Sequence, residues 1–314
     1  MTHKKVVLTG ATGLIGKRLY KALVKRGDEV TIFTNSMVKG VQKINGADEY
    51  IEWNYREKNH WQSHINGKDA VVHLAGANLS GKRWTETYKK EIIESRQIST
   101  RNLVDAFAKA EKKPQVFVCA SAVGYYGNYG DDVITEEDHA GDDFLAEVCK
   151  IWEEEASRAE EYGIRRVSIR TGIVLSKEGG ALNKMLIPFN FFAGGPLGNG
   201  SQWFPWIHID DIVGAYLFAI DNPDLSGAVN AAAPDPVTMK DFAKTLGRVL
   251  RRPSFFHVPK FALTLVAGEI GATITHSQKV IPKRLLENGF RFEYDDLEDA
   301  LRNILKKRSF SNTL

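Results

Sequence analysis

Three glycines, Gly10, Gly13 and Gly16, follow the β-rich run Val6-Val7-Leu8-Thr9 and open a helical stripe of Ile15, Leu19, Ala22 and Leu23. A strand that breaks into such a turn and then a helix has few ways to continue. The first glycine permits the tight turn, the second lets backbone approach an anion without a Cβ, and the third lets helix pack closely on strand. The helix start then presents unpaired N–H groups and a positive dipole end. This pattern predicts a dinucleotide pyrophosphate site built from Gly10, Thr12, Gly13, Leu14, Ile15 and Gly16. Gly27 supplies the helix stop.

The same rhythm continues for two-thirds of the chain. Strands are expected near residues 6–9, 29–34, 70–75, 115–120 and 166–170, with long helical patterns near 85–110 and 143–162. Strands separated by helices predict a parallel sheet covered on both faces, hence a Rossmann-type doubly wound α/β fold. Residues 1–175 are expected to form this dinucleotide-binding core, with 207–231 completing the sheet. Beyond Gly180 the rhythm breaks at Pro188, Gly194-Gly195-Pro196, Gly198 and Gly200, with aromatic residues interleaved. Residues 176–206 and 232–305 therefore read as a smaller C-terminal substrate or accessory lobe, and 306–314 as a flexible tail.

Composition removes several classes of function. A net charge of +3 over 314 residues, with basic pairs dispersed, gives no footprint for nucleic acid. The eight histidines show no metal-ligand spacing, so no metal is expected. Two cysteines, Cys119 and Cys149, make no disulfide framework and fit a reducing, cytoplasmic setting. No apolar run approaches the ~20 residues that span a bilayer, and the first strand begins without a leader pattern. The expected partner is a small-molecule substrate. The long helical stretches 85–110 and 143–162 would either pair two chains as a homodimer or be covered by the last third of the chain.

Beyond the glycine turn, the chain carries His73-Leu74-Ala75-Gly76-Ala77, Ser121-Ala122-Val123-Gly124-Tyr125-Tyr126-Gly127 and Trp206-Ile207-His208-Ile209-Asp210-Asp211. It also carries Arg170-Thr171-Gly172-Ile173-Val174-Leu175-Ser176 and Gly194-Gly195-Pro196-Leu197-Gly198. With these motifs the sequence resembles the extended and atypical short-chain dehydrogenase/reductases. More narrowly, it is similar to the epimerase-like subfamily with a C-terminal domain of unknown function. The resemblance covers roughly residues 4–300 and implies a nicotinamide cofactor, while saying little about substrate.

In such folds an acid at the end of the second strand accepts the adenosine ribose hydroxyls and favours NAD. Here that strand ends Ile32-Phe33-Thr34-Asn35-Ser36, with no acid, and Asn35, Ser36 and Lys39 offer donors and a cation to a 2′-phosphate. The expected cofactor is NADP rather than NAD. Ala75, Gly76 and Ala77 are small enough to let backbone pass the nicotinamide ribose, as the resemblance implies.

For chemistry the resemblance implies a serine that polarises a carbonyl and a Tyr-x-x-x-Lys pair that handles the proton. Ser121 matches the serine. Lys150 falls on the lysine, which puts Ala146 in the tyrosine position, where no proton can be exchanged. Tyr125 and Tyr126 are the available phenols. Asn78, Arg83 and Trp84 form a candidate clamp for a substrate anion, and His208 a candidate relay or packing histidine. Together these support an NADP-dependent oxidoreductase or epimerase-like enzyme acting on a small polar, sugar-linked substrate. The alternative is a non-catalytic NADP(H)-binding sensor or scaffold, supported by Ala146.

Overall fold

The computed structural model describes residues 3–259, 261, 265 and 268–306. Of the expected tail, residues 307–314 lie outside the described residues. Seven parallel strands form the central sheet: β1 (Lys5–Thr9), β2 (Glu29–Thr34), β3 (Glu49–Glu52), β4 (Ala70–His73), β5 (Val116–Ala122), β7 (Arg165–Thr171) and β11 (Gly227–Ala231). Their order is β11-β7-β5-β4-β1-β2-β3. The chain winds outward from β1 to β3 and returns to β4 on the other side of β1. The strand order therefore reverses between β1 and β4, and their carboxyl ends open a crevice there. The Rossmann-type expectation is met. The strand β3, missed in the sequence reading, is only Glu-Tyr-Ile-Glu, too short and too polar to announce itself.

Apolar alternation explains the two layers. From β1, Val6 and Leu8 pack with Leu19 and Leu23 of α1 (Leu14–Arg26) and with Ile212, Tyr216 and Ala219 of α6 (Ile209–Asp221). Val7 points the other way, into a cluster with Leu103 and Phe107 of α3 (Glu86–Lys109) and Trp152 and Ala156 of α4 (Phe144–Ser157). Complete burial of both faces is what a parallel sheet demands. Between β2 and β3 lies α2 (Met37–Lys43).

Short ladders build the rest. Strand β6 (Val133–Ile134) pairs with β13 (Lys279–Val280), β8 (Ile173–Leu175) with β10 (Trp206–His208), and β9 (Trp203–Phe204) with β12 (Val237–Thr238). A third cluster joins Leu182 and Phe189 of α5 (Gly180–Asn190), Phe242 and Leu246 of α7 (Met239–Leu250), and Leu297 and Leu301 of the helix Leu297–Leu305. Asp211 ties this part to α6 by accepting the Glu293 and Tyr294 backbone N–H groups at 2.7 and 3.1 Å. Its burial pushes its carboxyl up to about 6.

A polar spine crosses the core beneath the crevice. The Thr9 hydroxyl accepts from the Leu74 and Ala75 N–H groups at 3.2 Å each, so its hydrogen goes to His73 Nδ1, 2.7 Å away. Ser99 Oγ gives its hydrogen to the Arg96 carbonyl, so it accepts from His73 Nε2–H at 3.0 Å. His73 is thus a neutral imidazole with both nitrogens used, and burial lowers its pKa to about 3.

Because the folded state refuses this proton until about pH 3 while an unfolded histidine accepts it near 6.5, stability falls as pH drops below 6.5. His73→Asn should lower stability at pH 7 yet flatten its acid dependence. Urea unfolding should show the wild-type advantage shrinking by about 2 kcal/mol between pH 7 and pH 5. A constant difference would remove His73 from the acid response.

Candidate active site

The crevice begins at the first βα turn. Gly10 has φ +69°, and a Cβ there would lie 2.7 Å from the Leu74 carbonyl carbon and 2.8 Å from the Ala75 nitrogen. A Cβ on Gly16 would overlap the Gly10 carbonyl oxygen. The first approach seats the turn against the backbone after β4, and the second presses the start of α1 against the end of β1. Gly13 is the N-cap residue, with no capping side chain and no acid in the first helical turn. The dipole end and the first N–H groups, among them those of Leu14 and Ile15, therefore face the crevice without a competing side-chain acceptor, with Thr12 half-buried beside them. The residues fit a pyrophosphate.

At the end of β2, Thr34 is buried and Asn35 and Lys39 are exposed. Ser36 Oγ caps α2 by accepting the Lys39 N–H at 3.4 Å, and the Thr34 hydroxyl donates to the Ser36 carbonyl at 3.1 Å. Ala75, Gly76 and Ala77 continue from β4 on the other side of the turn. Ala77 is held at both ends: its N–H donates to Ser95 Oγ at 3.0 Å, and its carbonyl accepts from Arg96 Nη2 at 3.2 Å.

Ser121, at the carboxyl end of β5, donates to Glu153 Oε1 at 2.6 Å. Glu153 in turn receives Nε and Nη2 of Arg170 at 2.9 and 2.8 Å, a fork matched to a carboxylate. The remaining arm of Arg170, Nη1, donates to the Tyr126 hydroxyl at 2.9 Å, which passes its own hydrogen to Asn230 Oδ1 at 2.7 Å. Burial raises the Tyr126 pKa. The Arg170 guanidinium also lies 3.5 Å from the centroid of the Tyr125 ring. Among the described residues none bonds the Tyr125 hydroxyl, and Tyr125 is half-buried. Ser121, Tyr125 and Tyr126 are thus gathered by one guanidinium.

Lys150 is not among them. It lies on the exposed face of α4 with Nζ 3.5 Å from the Gly141 carbonyl. The face of α4 toward Ser121 carries Cys149, whose thiol meets the Ala122 carbonyl at 3.7 Å, and Glu153 one turn on. A shift of one residue along a helix rotates a side chain by about 100°, which separates Lys150 from the site. Ala146 is fully buried.

The loop after β4 spends most of its polar groups on itself. Asn78 Oδ1 accepts the Ser80 N–H, Tyr88 donates to the Asn78 carbonyl, and Trp84 Nε1 donates to the Leu79 carbonyl while its ring meets Phe144 edge-on. Arg83 is exposed and donates to the Leu265 carbonyl at 2.8 Å, reaching the C-terminal segment. His208 is 1% exposed, with its ring 3.9 Å from that of Tyr294. Its Nδ1 caps α6 by accepting the Asp210 N–H at 3.0 Å. Burial lowers its pKa, consistent with a neutral packing role.

The sequence reading passed over Glu153, Arg170, Asn230 and Arg96. A charged residue inside the apolar strand pattern Val167-Ser168-Ile169-Arg170 was the available signal, because such a charge must find a partner. Among the described residues no three His, Cys, Asp or Glu groups gather as a metal site, and no helix is long and apolar enough to cross a membrane.

Residues 6–232 match the NAD dependent epimerase/dehydratase family. The chain belongs to that family. Residues 258–304 match a domain of unknown function. A chloroplastic epimerase family protein, SDR39U1 homolog, from Arabidopsis thaliana is 43% identical over 96% of this chain and 86% of its own length. The epimerase family protein YfhF of Bacillus subtilis is 38% identical over 96% and 98%. The crystal structure of the human epimerase family protein SDR39U1 with NADPH superposes with a TM-score of 0.84 at 33% identity, covering 96% of this chain and 98% of that one. A UDP-glucuronic acid 4-epimerase from Bacillus cereus, 16% identical, shares the fold.

Within this family member, the Glu153–Arg170 pair is buried, with side-chain exposures of 12% and 5%. Arg170→Met would strand the carboxylate and should lower unfolding free energy by about 3–5 kcal/mol. The double variant with Glu153→Gln should recover a substantial part. Denaturant melts of the single and double variants check this, and additive losses would mean that the two groups are not coupled.

Proposed function

We propose that this protein binds NADP(H) in the β1–β4 crevice and acts on a small polar, sugar-linked substrate as an oxidoreductase or epimerase-like enzyme. The observation that carries the reading is the glycine turn, whose missing Cβ positions are filled by backbone and whose helix start has no cap of its own. Gly10, Thr12, Gly13, Leu14, Ile15 and Gly16 would hold the pyrophosphate. Asn35, Ser36 and Lys39 would face the 2′-phosphate, at a strand end with no acid to repel it. NADPH in the human relative supports that choice. Two buried free cysteines fit a reducing cytoplasm.

When bound, the cofactor would supply or accept hydride at one substrate carbon. The chain's part is the proton on the adjoining oxygen. Tyr126 has its hydroxyl committed to Arg170 and Asn230, and Ser121 has given its only hydrogen to Glu153. Tyr125 is the phenol with an available hydroxyl at this edge, held by the guanidinium beneath its ring. Asn78, Arg83 and Trp84, in the loop after β4, would offer polar groups and a ring to an anionic substrate group. The second reading, a non-catalytic NADP(H)-binding sensor or scaffold, is favoured by the buried Ala146 and by Lys150 facing away.

Tryptophan quenching and nicotinamide emission should show NADPH bound at least about tenfold more tightly than NADH. Ser36→Asp retains a good helix cap while adding a charge against the 2′-phosphate, so it should erase the preference. Equal affinities in the wild type would overturn the NADP assignment. In a screen of sugar-linked ketones and aldehydes for NADPH consumption, Tyr125→Phe should abolish turnover and spare cofactor affinity. Undiminished turnover would remove Tyr125 from the chemistry, and no turnover with any carbonyl would favour the sensor.

A further inference from the structure

Two guanidinium groups lie buried near the crevice, and they are treated differently. Arg170 has Glu153. Arg96, on α3 and 8% exposed, has no carboxylate among the described residues. A charge taken out of water costs several kcal/mol unless something compensates it. Arg96 has only partial compensation: Nη1 donates to the Ile92 carbonyl at 3.0 Å, Nη2 to the Ala77 carbonyl at 3.2 Å, and the Trp152 ring lies 4.8 Å from its central carbon. Five N–H donors belong to a guanidinium, so these contacts leave it unsaturated.

Its position is specific. A Cβ on Gly76 would sit 3.1 Å from the Arg96 central carbon, so the charge lies directly behind the backbone of residues 75–77. Gly76 itself is exposed. Across the crevice, an adenosine ribose would lie at the end of β2 and the pyrophosphate at the β1 turn. By strand order, the other half of an extended dinucleotide must run over β4 and β5, past residues 75–77.

We infer that Arg96 is a positioning residue for the nicotinamide half of the dinucleotide: it pins the Ala77 carbonyl and sets a positive charge behind Gly76. This rests on the NADP(H) reading above. Together with Ser95, it fixes both ends of the Ala77 residue before any ligand arrives, so that stretch of backbone needs no ordering on binding. A lysine would keep the charge but could not span two carbonyls from one planar fork.

The test separates the two halves of the ligand. Dissociation constants for NADPH and for adenosine 2′,5′-bisphosphate, which lacks the nicotinamide half, are measured on the full-length wild type, Arg96→Lys and Arg96→Gln. Arg96→Gln should weaken NADPH by about tenfold or more, while adenosine 2′,5′-bisphosphate stays within about twofold. Arg96→Lys should fall between. Retained binding of the adenosine fragment doubles as proof that each variant is folded. Equal losses for both ligands would make Arg96 a general structural residue, and unchanged NADPH affinity would leave it no role in binding; either overturns the inference. Wild-type protein that binds NADPH while the Arg96 variants show no selective loss refutes the inference alone, whereas wild-type protein that does not bind NADPH refutes the NADP(H) reading with it.

Discussion

The Arg170 guanidinium is the point on which the carboxyl edge of the sheet converges. One planar group, anchored on β7, reaches Glu153 on α4 and Tyr126 in the loop after β5, and lies against the Tyr125 ring. Through Glu153 it orients Ser121, and through Tyr126 it reaches Asn230 on β11. Three strands, a helix and a loop are thereby held in one register. Arginine suits this place because its donors leave in fixed directions, so each partner is held in angle as well as distance. The buried carboxylate makes the charge tolerable, and the aromatic faces shield both from water.

Beneath the crevice, at β1 and β4, the same kind of constraint is met without ions. Thr9, His73 and Ser99 form a chain in which every hydrogen has one destination, and a neutral imidazole joins β1, β4 and α3. The carboxyl edge of the sheet is therefore underlain by two buried polar systems, a neutral one at β1 and β4 beside the glycine turn and a charged one at β5, β7 and β11. Neither leaves slack. Polar networks in a low-dielectric interior are rigid when every member is satisfied, and rigidity here is what keeps a short run of small residues, 75–77, in place beside an open cleft.

Membership of the NAD dependent epimerase/dehydratase family accounts for the fold and the glycine turn, and it does not settle the chemistry, because function resides in the site and not in the fold. The two residues that the resemblance aligned with the Tyr-x-x-x-Lys pair, Ala146 and Lys150, both lie on α4. Ala146 is packed into the interior, Lys150 is turned to solvent, and the helix instead presents Cys149 and Glu153 to the end of β5. The phenols beside Ser121 lie in the loop after β5, which is why the enzymatic proposal rests on Tyr125.

The strand-turn-helix opening, the alternation of strands with helices, the parallel sheet and the acid-free end of β2 were all legible in the amino-acid order. Each rests on local rules: glycine backbone freedom, apolar periodicity and the types of side chain at a strand end. The partners of Ser121, the direction of Lys150, the cap formed by His208 and the isolation of Arg96 were not legible. Those depend on which residue of a helix turns toward a strand, where a single-residue step is about 100°, and on contacts between residues far apart in sequence, such as Tyr126 with Asn230. Periodicity says that a helix has an inner face; only packing chooses the atoms that meet across it.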